Sequence, residues 1–137
     1  MNKETVYKLF SKIPTLETER LTLRRMKPTD CHDMFEYASK PEVTEFLLWE
    51  PHKDWHQTHD YLEYLQTRYR VGDFYDWAVI DREKTKMIGT CGFTSLDFTN
   101  NSAEVGYVLH PDYWGCGIAP EAVMKVMQFA FLEMNAH

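Results

Sequence analysis

The chain has 137 residues, a net charge of −6, and 44% hydrophobic and 26% charged residues. These values are typical of one globular domain and exclude a disordered chain. The acidic balance argues against nonspecific binding to nucleic acid and favours a cationic or amine-bearing substrate. The three cysteines form no Cys-x-x-Cys motif, which indicates neither a disulfide framework nor a structural zinc site. Because no signal-like N-terminus or long apolar run is present, we expect a cytoplasmic protein without a membrane partner.

The first half of the chain predicts one strand and a series of helices. Residues 20–26 alternate Leu21 and Leu23 with polar neighbours, which is the pattern of a strand with one buried face. Four helical segments are predicted: residues 5–10, a helix that opens at residues 28–30 and stops before Pro41, a turn at residues 42–46, and a longer helix over residues 54–69. The apolar faces of the second and fourth segments contain Cys31, Met34, Phe35 and Ala38, and Leu62, Leu65 and Tyr69, respectively.

The second half of the chain predicts three strands and a final helix. The strands cover residues 74–80, 87–93 and 103–109 and are joined by short turns, which favours an antiparallel meander. The final helix covers residues 120–134, and its apolar face contains Val123, Val126, Met127, Ala130 and Met134. This order of elements predicts an α+β fold. The family resemblance described below implies, more specifically, a mixed, mostly antiparallel central sheet flanked by helices.

The stretch between the last strand and the final helix is the strongest candidate for a binding site. The strand ends near Leu109, Gly115 and Gly117 follow in a short loop, and Pro120 fits the first turn of the helix. Glycines let a ligand approach the backbone, and free amides at a helix N-terminus favour an anion such as a phosphate. Neither the nucleotide P-loop pattern nor the dinucleotide glycine pattern matches. The stretch predicts a phosphate site, with a simple tight turn as the alternative.

Four segments of the sequence carry a family resemblance when they are taken together. They are residues 16–24 (Leu-Glu-Thr-Glu-Arg-Leu-Thr-Leu-Arg), 88–93 (Ile-Gly-Thr-Cys-Gly-Phe), 103–109 (Ala-Glu-Val-Gly-Tyr-Val-Leu) and 113–122 (Tyr-Trp-Gly-Cys-Gly-Ile-Ala-Pro-Glu-Ala). In this order they resemble the GNAT superfamily of N-acetyltransferases, and within it the Rim-type branch of ribosomal-protein N-terminal acetyltransferases. The family's loop pattern begins with Gln or Arg, whereas this chain has Trp114, as is common in the Rim-type branch.

The resemblance implies a GNAT-like fold and the direct transfer of an acetyl group from acetyl-coenzyme A to a primary amine. The amine would belong to a protein N-terminus or to a small molecule, and no metal would take part. By analogy with the family, the glycine loop would hold the pyrophosphate of acetyl-coenzyme A, and the end of the strand would contact its pantetheine arm and polarise the thioester. The residues assigned to the cofactor in this way are Val108, Leu109, Trp114, Gly115, Cys116, Gly117, Ile118 and Ala119.

Glu104 is the candidate for the general base of this reaction. It lies in the same strand as Val108 and Leu109, where the thioester is expected. If the catalytic cleft lies on the face of Glu104, a partly desolvated carboxylate there would be suited to accept the proton of the ammonium group near neutrality. The alternative is a solvated carboxylate on the surface of a strand.

Aromatic residues near the fourth helical segment are candidates for the acceptor pocket. By the same resemblance, the residues that would line it are Trp49, Trp55 and Tyr61. Packing in the core is the alternative, because large aromatic residues are usually buried. His52, His56 and His59 lie close together in the sequence, but no His-Glu-x-x-His pattern accompanies them. We therefore expect polar residues at the start of a helix and no metal site.

The resemblance also implies elements that this sequence does not contain. The family has a further strand, a helix and two strands after the helix that ends near Met134, and its general acid, often Tyr or Ser, would lie beyond residue 137. We therefore expect an incomplete domain over residues 1–137. Its unpaired strand edge and apolar helix face favour a homo-oligomer or a domain-swapped dimer. The alternatives to an active enzyme are a remnant that binds coenzyme A or a partner without turnover, and an unrelated α+β binding module.

Overall fold

The computed structural model describes residues 1–45 and 50–136. Its elements follow in this order: α1 (Lys3–Ser11), β1 (Leu16–Glu17), β2 (Leu21–Arg24), a 3₁₀ turn (Pro28–Asp30) that leads into α2 (Cys31–Ala38), α3 (Pro41–Thr44), α4 (Trp55–Val71), β3 (Asp76–Asp81), β4 (Lys86–Asp97), β5 (Ser102–Leu109), a second 3₁₀ turn (Pro111–Tyr113) and α5 (Ile118–Glu133). The α+β class predicted from the sequence is confirmed.

The five strands form one sheet in the order β1-β2-β3-β4-β5, and all the described pairings are antiparallel. Strands β3, β4 and β5 form the predicted meander. The register shifts once within the β3–β4 pair and once within the β4–β5 pair, the latter between Phe93 and Ser95. Asp76 of β3 lies opposite Gly92 of β4, and Gly92 lies opposite Gly106 of β5. This row therefore places a carboxylate next to two positions without side chains.

Helices cover both faces of the sheet, and each face has its own apolar core. On one face α1 and α5 pack through Phe10 and Phe129, whose rings meet each other and Trp77 edge to face at centroid distances of 5.3 to 6.0 Å. On the other face α2, α3 and α4 pack against the sheet, with Leu65 fully enclosed. Because side chains alternate across a strand, β3 sends Trp77 into the first core and Ala78 into the second.

Helix α4 begins and ends where its sequence provides caps. The side chain of Asp54 accepts a hydrogen bond from the backbone amide of Gln57 at 3.0 Å. Gly72 ends the helix with a φ of 87°, in the left-handed region. A Cβ atom at this position would lie 1.9 Å from the carbonyl oxygen of Tyr7, so glycine is required for both conformation and space.

Several sequence predictions need correction in detail. Strand β4 extends to Asp97, and the two-residue strand β1 was too short to produce a pattern. On α2 the predicted Cys31, Met34 and Ala38 are buried, but so is Tyr37, whereas Phe35 is only partly buried. Helix α2 packs against both α4 and β4 and therefore buries a wider arc. On α5 Phe129 is buried against Phe10, whereas Met127 is 46% exposed. The predicted turn at residues 42–46 lies partly outside the described residues.

Candidate functional site

The glycine loop connects the end of β5 to the start of α5. Gly115 and Gly117 have φ values of 74° and 77°, in the left-handed region that favours glycine. Gly117 directly precedes α5, and no described side chain caps the free amides of the first turn. Pro120, which has no amide hydrogen, occupies that turn. The loop therefore presents free amides and the positive end of the helix dipole, an arrangement that binds anions.

A groove of about 640 Å³ runs from the edge of β5 to the first turn of α5. Most of the residues predicted to hold a cofactor line this groove: Val108, Leu109, Trp114, Gly115, Gly117, Ile118 and Ala119. Glu42 and Val43 of α3 and Tyr107 of β5 also line it. Cys116, which the sequence placed in the same group, lines a second cavity of about 480 Å³ instead. The structure thus brings the predicted cofactor residues together, with Cys116 as the exception.

Two aromatic side chains fix the glycine loop to the sheet. The indole nitrogen of Trp114 donates a hydrogen bond to the carbonyl oxygen of Leu109 at 2.8 Å, and the hydroxyl of Tyr113 donates to the carboxylate of Asp81 at 2.7 Å. Burial, and then the hydrogen bond to Asp81, raise the pKa of Tyr113 to about 12, so this phenol stays neutral. Trp114 remains 51% exposed, which leaves part of its ring free to contact a ligand in the groove.

His110 holds the start of the loop from inside the protein. It is 4% exposed, and its Nδ1 accepts a hydrogen bond from the backbone amide of Asp112 at 3.0 Å. Because Nδ1 accepts, Nε2 carries the proton and donates to Glu36 at 3.2 Å. Glu36 also pairs with Lys86 at 2.7 Å, and the contacts with Lys86 and then His110 lower the pKa of Glu36. Helix α2 and strand β4 therefore fix the loop through one chain of polar contacts.

Arg20 and Glu121 tie the first turn of α5 to the turn before β2. Arg20 Nε lies 2.8 Å from Glu121 Oε1, and the same guanidinium donates to the carbonyl oxygen of Cys116 at 3.0 Å. The hydroxyl of Thr18 also donates to Glu121. Burial alone would raise the pKa of Glu121, but the hydrogen bonds from Thr18 and Arg20 outweigh it and lower the pKa. Sequence reasoning quoted these residues only within family motifs, and the structure gives them a role in positioning the loop.

Glu104 is exposed on β5 and is not among the residues that line the groove. The register places it opposite Ser95, just past the irregularity in β4. Side chains alternate along a strand, so Glu104 shares a face of β5 with Gly106 and Val108. Its role as a general base stays a prediction.

Two of the three residues predicted to line the acceptor pocket, Trp55 and Tyr61, lie in the part of the chain that the structure describes, and their assignment stays a prediction. Trp49 lies outside the described residues. Trp55, the first residue of α4, is 39% exposed and stacks on His56 at a centroid distance of 3.8 Å. Tyr61 is 38% exposed, yet burial and then Asp76 raise the pKa of its hydroxyl to about 12.

The three histidines near the start of α4 have separate environments. His52 is buried, with its Nδ1 2.7 Å from the hydroxyl oxygen of Thr58. His56 and His59 each lie 3.7 Å from a nearby carboxylate on α4 or its cap. Within residues 1–45 and 50–136, no group of three or more His, Cys, Asp or Glu side chains is placed to hold a metal ion. The same residues include no helix that is long and apolar enough to cross a membrane.

Sequence reasoning missed a pair of polar residues beneath α2 and α4. Burial raises the pKa of Asp76, at the start of β3, to about 7. The hydroxyl of Tyr37, on α2, is buried without a hydrogen-bond partner among the described residues. The available signal was Asp76 itself, because Asp is disfavoured in strands and here adjoins a buried Trp77.

The sheet, the glycine loop and the adjoining groove together define an acetyltransferase fold. The family model of the acetyltransferase (GNAT) domain matches residues 20–137, and the chain belongs to this family of enzymes. The membership predicted from the sequence segments is thereby confirmed.

A curated relative and two solved structures illustrate the likeness. The uncharacterized N-acetyltransferase p20 of Bacillus licheniformis is 39% identical over 121 residues, which are 88% of this chain and 68% of the relative. The ribosomal-protein-S5-alanine acetyltransferase of Vibrio fischeri has a TM-score of 0.67 and 24% identity, covering 90% of this chain and 70% of that one. The microcin C7 self-immunity acetyltransferase MccE, solved with acetyl-CoA and AMP, has a TM-score of 0.68 and 18% identity, covering 81% and 62%. Both structures share the fold of this chain.

Proposed function

We propose that this chain transfers the acetyl group of acetyl-coenzyme A to a primary amine. The observation that carries the proposal is the groove that joins Val108 and Leu109 of β5 to the free amides of α5. Acetyl-coenzyme A is long, with phosphates far from its thioester, and this groove offers an anion site at one end and a strand edge along its length. MccE, which shares the fold, was solved with acetyl-CoA, and this supports the choice of ligand.

The open backbone around Gly115 supports a phosphate at the loop. A Cβ atom at Gly115 would meet nothing within 4 Å, so the glycine leaves free space on the side where a ligand would approach. In this proposal the amides of residues 115–119 hold the pyrophosphate, and the exposed ring of Trp114 packs against the ligand. Cys116 contributes only its backbone, because its side chain lies at the second cavity.

The reaction needs three groups around the thioester carbon. The amine nitrogen attacks that carbon, a backbone amide near Val108 stabilises the negative charge on the carbonyl oxygen, and Glu104 accepts the proton of the ammonium group. The new C–N bond forms as the C–S bond breaks, and the departing thiolate takes up a proton. The position of Glu104 on the same face as Val108 supports its role as the base.

Coenzyme A binding without turnover is the second candidate function. The exposure of Glu104 and its absence from the groove lining favour it, because a base must reach the reacting amine. A chain of this kind would bind acetyl-coenzyme A on the glycine loop but would not release a thiol when an amine is added.

Calorimetric titration of acetyl-coenzyme A into the chain tests the shared part of both candidates. We expect micromolar binding that is lost in Gly117→Trp, since the indole would block the anion site next to Arg20 and strain a left-handed position. Met124→Trp is the matched control, because Met124 is 71% exposed on the same helix and does not line the groove. If Gly117→Trp binds as tightly as Met124→Trp, the loop is not the cofactor site.

We also infer that the chain self-associates as a homo-oligomer or a domain-swapped dimer in the cytoplasm. In the described sheet no strand pairs with the outer edge of β5, and Met124, Phe131 and Leu132 of α5 are exposed. The free thiols of the chain accord with a reducing compartment. Light scattering at increasing protein concentration is expected to show a rising mass. A monomer of constant mass over the whole range would contradict this inference.

A further inference from the structure

The last two peptide planes of β5 are oriented by the neighbouring strand. A Cβ atom at Gly89 would lie 2.1 Å from the carbonyl oxygen of Val108, so this oxygen points toward β4. The amide of His110 also points toward β4, because it donates to the carbonyl oxygen of Ile88 at 2.7 Å. Both peptides are trans, and in a trans peptide the C=O and N–H bonds point in opposite directions. The amide and the carbonyl of Leu109 therefore both point away from β4, toward the groove.

Trp114 occupies one of these two outward groups. Its indole nitrogen donates to the carbonyl oxygen of Leu109 at 2.8 Å, and its side chain lines the groove beside this oxygen. The amide of Leu109 has no strand partner, since in the described sheet no strand pairs with the outer edge of β5. At Leu109 the edge therefore offers a ligand a hydrogen-bond donor, while the acceptor is already in use.

Tyr107, two residues earlier, differs from Leu109 in what its backbone offers. Peptide directions alternate along a strand, so the amide and the carbonyl of Tyr107 face the same outer edge as those of Leu109. The register agrees, with Cys91 opposite Tyr107 and Gly89 opposite Leu109 on β4. In the described part of the chain, no side chain donates to the carbonyl of Tyr107. The edge thus offers a donor and an acceptor at Tyr107, but only a donor at Leu109.

This difference restricts how an extended ligand pairs with the edge. A pantetheine arm carries amide N–H donors as well as carbonyl acceptors, and a strand edge that offered both groups at Tyr107 and at Leu109 would pair with it in more than one register. With the Leu109 carbonyl covered by the indole, an N–H of the arm finds no acceptor there, whereas a carbonyl oxygen finds the Leu109 amide. The free amides of the first turn of α5 follow along the same groove.

We propose that Trp114 is a positioning residue, which sets the register of acetyl-coenzyme A on β5 so that the thioester oxygen lies at the amide of Leu109; this inference rests on the proposed acetyltransferase function. A donor at that oxygen stabilises the negative charge that develops when the amine attacks. The indole does not touch the reacting atoms. It acts through Leu109, by removing the acceptor that would allow the arm to bind in a shifted register.

Infrared spectroscopy of acetyl-coenzyme A labelled with ¹³C at the thioester carbonyl tests this role. A hydrogen bond to the oxygen moves the carbonyl band to lower wavenumber, so we expect this shift when the labelled ligand binds to the parent chain. Trp114→Phe keeps an aromatic ring without an N–H donor, and it is expected to lose most of the shift while its Kd stays similar, because the arm makes as many hydrogen bonds in the shifted register. With n-butylamine as the acceptor, its kcat is expected to fall by about 10-fold or more at an unchanged KM.

Tyr113→Phe is the matched control, because it removes the neighbouring bond to Asp81 that also fixes the loop and leaves the indole bond to Leu109 in place. It is expected to keep the band shift of the parent chain. A measurement on the parent chain alone does not depend on the folding of any variant. Hydrogen exchange of the Trp114 indole N–H, followed by NMR without ligand, is expected to be slower than that of Trp55, although Trp114 is 51% and Trp55 39% exposed.

Three results would each overturn the role of Trp114. They are a band shift in Trp114→Phe equal to that of the parent chain, an equal loss of the shift in Tyr113→Phe, and exchange of the Trp114 indole as fast as that of Trp55. Failure of the parent chain to bind acetyl-coenzyme A in the calorimetric titration would contradict the proposed function itself. Failure of the positioning role is thereby distinguished from failure of the proposed function.

Discussion

The glycine loop and the region where α2 and α4 pack on the sheet differ in how their polar groups are satisfied. In the loop, His110, Tyr113 and Trp114 each have a hydrogen-bond partner that fixes the backbone. Beneath the sheet-facing side of α2, the hydroxyl of Tyr37 has none among the described residues. The loop is therefore fixed by the protein's own contacts, whereas the Tyr37 hydroxyl is buried at the cost of an unmade hydrogen bond.

The largest expected effect concerns the turnover of the proposed acetyl transfer, whose general base is expected on β5. Glu104→Gln is expected to lower kcat by about 100-fold or more, because a general base typically contributes this much, while acetyl-coenzyme A still binds. Thiol release measured with saturating acetyl-coenzyme A and n-butylamine provides kcat. Glu63→Gln, an exposed carboxylate on α4, is the control and is expected to keep full activity. Unchanged turnover in Glu104→Gln between pH 6 and pH 9 would remove this residue from the mechanism.

The next largest effect concerns the unfolding free energy of the chain at two pH values, which depends on Asp76. The pKa of Asp76 is raised from 3.8 to about 7 in the folded chain, so the folded state loses stability as pH rises between these values. Asp76→Asn is therefore expected to increase the unfolding free energy at pH 8 by roughly 2–4 kcal/mol and to have little effect at pH 4.

Urea unfolding at both pH values measures this difference. Burial and the charge of Asp76 raise the pKa values of Tyr37, Tyr61 and Tyr69 above their ordinary value, and burial raises the pKa of Cys91 to about 12. None of these groups therefore titrates between pH 4 and pH 8. A destabilised Asp76→Asn chain at pH 8 would show that the carboxylate has a partner after all.

A substitution in the glycine loop is expected to lower the unfolding free energy, in contrast to Asp76→Asn. His110→Ala removes the acceptor of the Asp112 amide and the donor to Glu36, and it leaves a cavity at a buried position. The loss is expected to be about 1–3 kcal/mol of unfolding free energy, with weaker binding of acetyl-coenzyme A. His59→Ala is the control, because His59 is partly exposed and contacts only carboxylates on its own helix. Equal stability of the two variants would show that the His110 contacts do not fix the loop.

The smallest expected effect is the difference in stability between phenylalanine variants of two buried tyrosines. Tyr37→Phe removes a hydroxyl without a partner and is expected to leave stability unchanged or raise it by up to about 1 kcal/mol. Tyr69→Phe removes a hydroxyl with two backbone partners and is expected to lower stability by about 1 kcal/mol or more. Thermal unfolding of both variants provides the comparison. If both lose stability equally, the Tyr37 hydroxyl is satisfied in solution.

The same contrast explains what the sequence could predict. The glycine loop is local: a strand end, two glycines with positive φ and a proline in the first helical turn follow one another within residues 109–120. Periodicity also located the buried face of α4, where Leu62, Leu65 and Tyr69 are almost fully enclosed. It failed for Met127, because Phe129 packs against Phe10 of a helix more than a hundred residues away in the chain, and this contact sets the rotation of α5.

The burial of Tyr37 and Asp76 could not be predicted, because it depends on tertiary contacts. Tyr37 belongs to α2, and only the packing of α2 and α4 on the sheet buries its hydroxyl. The raised pKa of Asp76 likewise comes from burial, which no local pattern of residues specifies. Trp55, which the family resemblance assigns to the acceptor pocket, is partly exposed and stacks on His56, and its assignment stays a prediction.

The most direct test of the account is to look for the product. The chain is incubated with acetyl-coenzyme A and n-butylamine, and mass spectrometry measures N-butylacetamide beside free coenzyme A. The account predicts both products in equal amounts, at a rate that falls in Glu104→Gln. A folded chain that binds acetyl-coenzyme A but forms no amide with n-butylamine, a tripeptide N-terminus or a diamine would contradict acetyl transfer and leave coenzyme A binding as its function.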